Sequence, residues 1–232
     1  MKAVLLAAGR GVRLLPLTLA VPKILVDIGG RTLLDRQLEY LARNGVTRVI
    51  IKTHHLGESV ASALRAGRHP VDVRLSHEQR LSGTAGALRA LTSELTETFV
   101  VLYGDVVTDA DLRRMAAVHH ARAATATVAC YRGPVTPDKG VLRLREHGQI
   151  AGFVEKGLTR TEPGWINAGL YMLEPVVLRC IKGPSPDFGR DVFPLMLRRG
   201  CALWSHAVEG DVIDVGTPEG LALAQRLAST FD

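Results

Sequence analysis

Four charged side chains of this 232-residue chain stand where their types and neighbours suit phosphate chemistry. Arg13 and Lys23 follow an apolar run, Ala3 to Ala7, that breaks at Gly9 and Gly11. Glycines just past a buried strand let backbone N–H groups approach a phosphate, because no Cβ stands in the way. Arg13 then neutralises charge as a planar fork and Lys23 as a point cation. On these residues alone the loop reads equally as a tight strand-to-helix turn with two surface cations. Asp105 follows the most apolar strand-like run, Phe99 to Tyr103, with Gly104 between. An acid at the carboxyl end of a buried parallel strand sits where open α/β sheets bind ligands. A carboxylate there suits Mg²⁺, which takes one or two carboxylates plus phosphate oxygens; the bland alternative is that Asp105 caps a turn. Asp214, in the apolar run Val212 to Val215, is a second acid of the same kind.

Two common phosphate motifs are excluded by spacing. A dinucleotide fingerprint needs a third glycine three residues after Gly11, where Leu14 stands, and an acid ending a second strand about 20 residues on. A Walker A loop needs Gly-Lys-Ser/Thr, which the chain does not contain.

The elements that must position these groups alternate. Ala3–Ala7 is a buried strand, Leu25 to Arg31 a short strand and turn, and Thr32 caps a helix whose Leu33, Leu34, Leu38 and Leu41 share a face, ended by Asn44-Gly45. Val46 to Thr53 is a buried strand with His54 and His55 at its end, lining a loop rather than sharing a metal. Leu56 to Ala66 is a helix, and Val71 to His77 a half-exposed strand. Thr84 opens the next helix as its N-cap, with small residues in the first turn that let a flat ring lie against the backbone; a plain βα loop is the alternative. Thr108 caps a helix to about Ala121, which leaves His119 and His120 as surface residues near its C-terminal end. Strand-helix repetition of this kind predicts a doubly wound α/β fold.

From Ala123 the texture changes to strands at Thr125–Tyr131, Val141–Arg145, Gln149–Val154 and Ile166–Tyr171. Helices follow at Pro175–Ile181 and Phe188–Arg199, a strand at Ala202–Val208, and a last helix opened by Thr217-Pro218. The expected whole is a three-layer α/β/α domain on a mixed, mostly parallel sheet, with residues 1–122 as one half and 123–232 as the other.

Composition bounds the rest. Apolar residues make up 47% and charged residues 22%, as in globular proteins. There is no 18-residue apolar run to span a membrane, and the N-terminus does not read as a signal peptide. The formal charge of +6 comes from arginines spread along the chain, without the aromatic-interleaved basic stretch of a nucleic-acid binder; a phosphate-rich small ligand accounts for it as well. Cys130, Cys180 and Cys201 fit no metal spacing and read as buried thiols of a reducing cytoplasm.

The stretch Leu6-Ala7-Ala8-Gly9-Arg10-Gly11-Val12-Arg13-Leu14, then Pro16-Leu17-Thr18 and Pro22-Lys23, resembles the opening of the sugar-1-phosphate nucleotidyltransferases. Val12 departs from a usually small or polar residue and Ile24 from a frequent second proline; neither change removes a charge. Gly83-Thr84-Ala85-Gly86-Ala87-Leu88 resembles that family's base-recognition loop, Tyr103-Gly104-Asp105 its metal motif, and Asp214-Val215-Gly216-Thr217-Pro218 the segment with its second metal carboxylate. Asp138-Lys139-Gly140-Val141, Phe153-Val154-Glu155-Lys156, Ile166-Asn167-Ala168-Gly169 and Asp187-Phe188-Gly189-Arg190 resemble its sugar-side segments. Taken alone, Glu155-Lys156 is an ordinary surface pair.

The resemblance implies a Rossmann-like nucleotidyltransferase fold and Mg²⁺-dependent transfer of a nucleotidyl group from an NTP to a sugar 1-phosphate. It implies nucleotide contacts at Leu6, Ala7, Ala8, Gly9, Gly11, Arg13, Lys23, Glu78, Gly83, Thr84 and Gly104, with catalysis by Arg13, Lys23 and Asp105 and the metal on Asp105 and Asp214. Sugar-phosphate contacts fall at Gly140, Glu155, Lys156, Asn167 and Gly169. A carboxylate only accepts hydrogen bonds, so Glu78 at the base-contacting position matches the N1–H and N2–H₂ edge of guanine and favours GTP. The sugar is of heptose, mannose or glucose type. The alternatives are a cytidylyl- or uridylyltransferase on another phosphorylated acceptor and a non-catalytic nucleotide-sugar-binding subunit. The β-rich half offers an edge for homodimer pairing.

Overall fold

A computed structural model describes residues 1–154 and 162–231. In chain order the elements are β1 (Lys2–Leu6), α1 (Leu33–Arg43), β2 (Arg48–Thr53), α2 (Gly57–Ala66), β3 (Asp72–His77), β4 (Phe99–Tyr103), β5 (Val106–Thr108) and α3 (Leu112–Ala121). There follow β6 (Ala126–Gly133), β7 (Val141–Leu144), β8 (Ile150–Val154), β9 (Gly164–Leu173), α4 (Phe193–Arg198), β10 (Leu203–Ala207), β11 (Val212–Asp214) and α5 (Pro218–Arg226). The fold class is α/β, a mixed, mostly parallel sheet with flanking helices.

The chain divides into two compact units. The first holds Met1–Leu81, Leu102–Ala110 and Gly210–Asp232; the second holds Ser82–Val101 and Asp111–Glu209.

In the first unit β1 pairs parallel with β2, and β2 parallel with β3. The centre of β1, Ala3 to Leu5, is fully buried, as a strand covered on both faces should be. Helix α1 begins as its sequence predicts: the Thr32 hydroxyl accepts from the Asp35 N–H at 3.1 Å. Its buried face carries Leu33, Leu34, Leu38 and Leu41, and with them Arg36 and Gln37. The antiparallel pair β5–β11 lies apart from the larger sheet, with Asp214 opposite Val106. An apolar cluster of Ile28, Leu33, Val107, Ile213, Val215, Ala224, Ala228 and Phe231 fixes this pair against α1 and α5. Arg36, buried, donates to the carbonyls of Ile28 and Ala228 and closes the same layer.

In the second unit β6 runs parallel to β10 and antiparallel to β9, and β7 pairs antiparallel with both β8 and β9. The β6–β9 register shifts between Val128 and Cys130, opposite Ala168 to Leu170, where Gly169 has a φ of +69°. A bulge that needs a left-handed residue explains the glycine in an otherwise buried strand. Tyr171, Phe188, Phe193 and Phe153 form one aromatic cluster.

Several local expectations are corrected. Leu25 to Arg31 forms no named strand; three short 3-10 turns (Val12–Leu14, Leu17–Leu19 and Lys23–Leu25) carry the chain on from Gly11, and only an isolated bridge joins Asp27 to Thr32. Thr108 ends β5, and the cap of α3 is Asp111, whose carboxylate accepts from the N–H groups of Arg113 and Arg114. His119 is buried, with Nδ1 on the Thr127 hydroxyl at 2.8 Å and Nε2 on Glu174 at 3.0 Å. Burial lowers its pKa against the opposing pull of Glu174. Pro175–Cys180 is a 3-10 segment, and the helix ending at Arg198 begins with a π turn at Phe188–Val192. Of the three cysteines, Cys130 and Cys180 are buried and Cys201 is half-buried; burial pushes the Cys130 thiol up to about 12.

Candidate functional site

The phosphate-type residues of the first unit come together. Gly11 has a φ of +64°, and a Cβ on it would meet Thr18 Cγ2 at 2.8 Å. Thr18 is buried and donates its hydroxyl to the Gly11 carbonyl at 2.8 Å, which locks the loop. The chain then returns through Pro22 to Lys23, whose Nζ donates to Asp105 Oδ2 at 2.6 Å. Arg13 donates to Asp214 Oδ2 at 3.2 Å. So 201 residues separate the partners of one ion pair and 82 those of the other.

The turn that carries Asp105 is pressed against the end of β1. The Gly104 N–H donates to the Leu6 carbonyl at 2.9 Å, and a Cβ on Gly104 would lie 2.7 Å from that same oxygen and 3.1 Å from Ala7 Cβ. Gly104 is thus required by close approach, and it places Leu6 and Ala7 beside the acid. The Asp105 carbonyl accepts from the Val215 N–H at 2.8 Å, which ties the turn to the end of β11.

Gly216 marks where the charged groups converge. A Cβ built there would stand 2.7 Å from an Arg13 guanidinium nitrogen, 2.7 Å from Asp214 Oδ1 and 3.4 Å from Asp105 Oδ2. The Gly216 N–H also donates to Asp214 Oδ1 at 2.7 Å. Two carboxylates and a guanidinium therefore bound one space that a side chain would fill. Sequence reasoning did not single out Gly216 as a site residue; its place two residues after Asp214 was the available signal.

The donor set of this space is hard oxygen with cationic neighbours. Among the described residues no three His, Cys, Asp or Glu side chains gather around one point. Two carboxylates with room left for phosphate oxygens fit Mg²⁺, which keeps few protein ligands; they do not fit zinc, which takes three or four.

Glu78 follows β3 and is half-buried. Its N–H donates to the Thr53 carbonyl at 2.8 Å, and its carbonyl lies 2.8 Å from His54 Nδ1. His55 Nε2 lies 3.3 Å from the Thr18 carbonyl, so the two histidines, which follow β2 rather than belong to it, contact different loops. Lys52, buried and missed in the sequence, bonds Ser76 Oγ at 3.0 Å. Its pKa is lowered by burial, with the Glu78 carboxylate pulling it back up.

Ala8 and Gly9 continue the first unit's loop after β1, and the remaining predicted residues lie in the second unit or outside the described residues. Thr84 does not cap a helix, since Ala85 precedes the 3-10 segment Gly86–Leu91. Its hydroxyl donates to Asp187 Oδ2 at 2.6 Å and accepts from the Phe188 N–H at 3.1 Å. Gly83, with a φ of +80°, has no room for a Cβ beside Ser185 and Pro186. Packing of the 184–188 segment thus accounts for the small residues here, and Asp187 is its anchor. Asn167 donates its backbone N–H to the Gly140 carbonyl at 2.9 Å and its side-chain amide to the Tyr171 hydroxyl at 2.9 Å. Asn167 Oδ1 accepts from the Gly169 N–H at 3.0 Å, so the amide shapes the bulge. Glu155 and Lys156 lie outside the described residues.

Comparison with known proteins gives the family and the fold. A family model described as nucleotidyl transferase matches residues 2–230. The chain is 34% identical over 225 residues to mannose-1-phosphate guanyltransferase beta-A of Xenopus laevis, covering 94% of this chain and 62% of that protein. It is 30% identical over 233 residues to a UTP–glucose-1-phosphate uridylyltransferase of Synechocystis, covering 93% and 60%. It therefore spans about three-fifths of the length of the curated relatives it matches. Among solved structures, HddC from Yersinia pseudotuberculosis superposes with a TM-score of 0.83 at 24% identity, covering 97% of this chain and 98% of that one. A putative glucose-1-phosphate thymidylyltransferase from Bacillus anthracis superposes with a TM-score of 0.85 at 22% identity, covering 98% and 95%. These neighbours share the doubly wound α/β fold predicted from the strand-helix order, and the Rossmann-like type that the family resemblance implies. With the match running almost end to end, and the Gly9–Lys23 loop, Asp105 and Asp214 gathered in one unit, the chain belongs to the nucleotidyl transferase family.

Proposed function

We propose that this chain transfers a nucleotidyl group from an NTP, with GTP favoured, to a sugar 1-phosphate of mannose, heptose or glucose type, releasing pyrophosphate. The observation that carries the reading is the convergence of Arg13, Asp105 and Asp214 on the space at Gly216, with Lys23 on Asp105. The 34% identity to a mannose-1-phosphate guanyltransferase supports the guanylyl choice, as does the acceptor-only carboxylate of Glu78.

An oxygen of the sugar phosphate attacks the α-phosphorus in line as the bond to the β-phosphate oxygen breaks, and pyrophosphate carries the electron pair away. Such a step needs positioning and charge stabilisation rather than covalent help from the protein. Arg13, on its exposed loop, stabilises the departing pyrophosphate. Lys23 neutralises nucleotide phosphate oxygens while its bond to Asp105 keeps that carboxylate aimed. Asp105 and Asp214 are the residues that would hold Mg²⁺, which when bound supplies Lewis-acid stabilisation of charge on the α-phosphate. Leu6, Ala7, Ala8, Gly9, Gly11 and Gly104 frame the nucleotide by backbone, and Gly83 and Thr84 are further proposed nucleotide contacts. Gly140, Glu155, Asn167 and Gly169 are the proposed sugar contacts, and Lys156 the cation for the sugar phosphate. On this reading residues 1–122 and 123–232 are the nucleotide and sugar-phosphate halves of one domain. The setting is cytoplasmic, as a homodimer; among the described residues no helix is long and apolar enough to cross a membrane.

The test is pyrophosphate release with Mg²⁺ across four NTPs and a panel of sugar 1-phosphates. Release with GTP and one sugar is the expected result. Release with CTP or UTP alone discards the guanine argument and keeps the chemistry. Nucleotide binding by thermal shift without release from any pair supports a binding subunit instead.

A further inference from the structure

We propose that Gln37 is a positioning residue for Asp105, an inference that rests on the reading of that carboxylate as part of the transfer site. Gln37 is on the inner face of α1 and 2% exposed. Its Nε2 donates to the Tyr103 carbonyl at 3.0 Å and to the Val106 carbonyl at 2.7 Å. These two carbonyls bracket Gly104-Asp105. An amide NH₂ has two protons and meets both; a carboxylate, a thioether or an alkyl group of similar length meets neither.

The rest of the turn is held on its other sides. The Gly104 N–H goes to Leu6, the Asp105 carbonyl takes the Val215 N–H, and the Asp105 carboxylate takes Lys23. Gln37 adds two backbone anchors, and it does so from a helix whose own position is fixed by the Ile28–Leu33–Val107 cluster. Its Oε1 is buried with no hydrogen-bond partner among the described residues. An amide kept half-satisfied in an apolar layer is unfavourable for stability compared with a leucine there, so the donating half of the group is the part with a task.

The experiment compares Gln37→Met with Tyr40→Phe. Tyr40 lies one turn further along α1 and donates its hydroxyl to the Ala110 carbonyl at 2.7 Å, beyond the Asp105 turn. Both variants lose buried hydrogen bonds from the same helix; only one loosens Asp105. Gln37→Met is expected to lower kcat about 10- to 100-fold, the usual effect of removing a group that orients a ligating carboxylate. Its KM for nucleotide is expected to change less than its kcat, since of the backbone groups that frame the NTP only Gly104 lies in the loosened turn. Backbone hydrogen exchange of the metal-free protein is expected to speed up over residues 102–108 and 212–217 in Gln37→Met and to stay at the parent rate there in Tyr40→Phe. Should Gln37→Met not fold, Gln37→Asn, which keeps an amide but shortens its reach, is read in the same way. Equal loss of kcat in both variants, or parent-like exchange at the Asp105 turn without Gln37, overturns the assignment. If the parent itself transfers nothing, exchange alone decides: faster exchange keeps the positioning role, and it is the proposed reaction that falls.

Discussion

Replacing Gly216 with alanine adds one methyl group where three charged groups meet, and its consequence can be worked from the geometry. The new Cβ would stand 2.7 Å from both an Arg13 nitrogen and Asp214 Oδ1, and 3.4 Å from Asp105 Oδ2. To reach ordinary van der Waals separation the first two groups must each retreat by about 0.7 Å, while Asp105 can stay. Arg13 and Asp214 are both more than a third exposed, so their ion pair contributes little to stability and yields readily. The backbone at Gly216 is not left-handed, and alanine there restricts the unfolded chain slightly, which offsets part of any loss. The melting temperature is therefore expected to move by no more than about 3 °C. Activity is different. Displacement by a large fraction of 1 Å at reacting groups costs on the order of 10²-fold in rate, or about 2.7 kcal/mol of transition-state stabilisation. Steady-state pyrophosphate release beside a thermal melt reads both quantities. A Gly216→Ala variant with kcat/KM within about three-fold of the parent would falsify the claim that this space is where the reaction occurs. A large fall in melting temperature alongside lost activity would refute it differently, by showing that Gly216 serves the fold.

Two further outcomes test the surrounding structure. Asp111→Ala removes the side-chain cap of α3 and is expected to cost about 1 kcal/mol in denaturant unfolding with transfer activity unchanged, since the cap lies outside the proposed machinery. Burial lowers the His119 pKa below that of the unfolded chain, with Glu174 and then His120 as the charged groups facing it. The unfolded chain therefore takes up more protons as pH falls below the ordinary imidazole value of about 6.5, and stability drops there. His206, buried and facing Arg114, Asp111 and Glu209, adds in the same direction. The melting temperature should decline between pH 7.5 and 5.5, and His119→Gln should flatten that decline; an unchanged slope in the variant would remove His119 from the account.

What the sequence made legible was the part carried by local pattern. The buried β1, the glycines after it, the Thr32 and Thr217 caps and the acid after β4 all follow from short-range chemistry, and the structure has them. Asp105 and Asp214 were each readable as ligands, but their meeting depends on the β5–β11 pairing, which joins segments more than 100 residues apart. The errors have specific competitors. Thr108 and Asp111 both suit a cap, and Thr108 was claimed by a strand. His119 falls in step with Leu112 and Met115, so helical spacing placed it on the buried face; its polar character argued for the surface and was overridden by partners on Thr127 and Glu174. The Thr84 hydroxyl went to Asp187, 103 residues away, a contact no local rule contains. Gln37 was hidden because a polar residue beside an apolar stripe reads as a helix flank until its carbonyl partners are known.

The decisive experiment incubates the chain with Mg²⁺, GTP and each of mannose, heptose and glucose 1-phosphate, and measures pyrophosphate and nucleotide sugar together, in the parent and in Asp105→Asn. Equimolar products are expected from one sugar in the parent, and a rate lower by about 10²-fold or more in the variant, whose amide keeps the shape and loses the charge. Equal rates in the two proteins would contradict it.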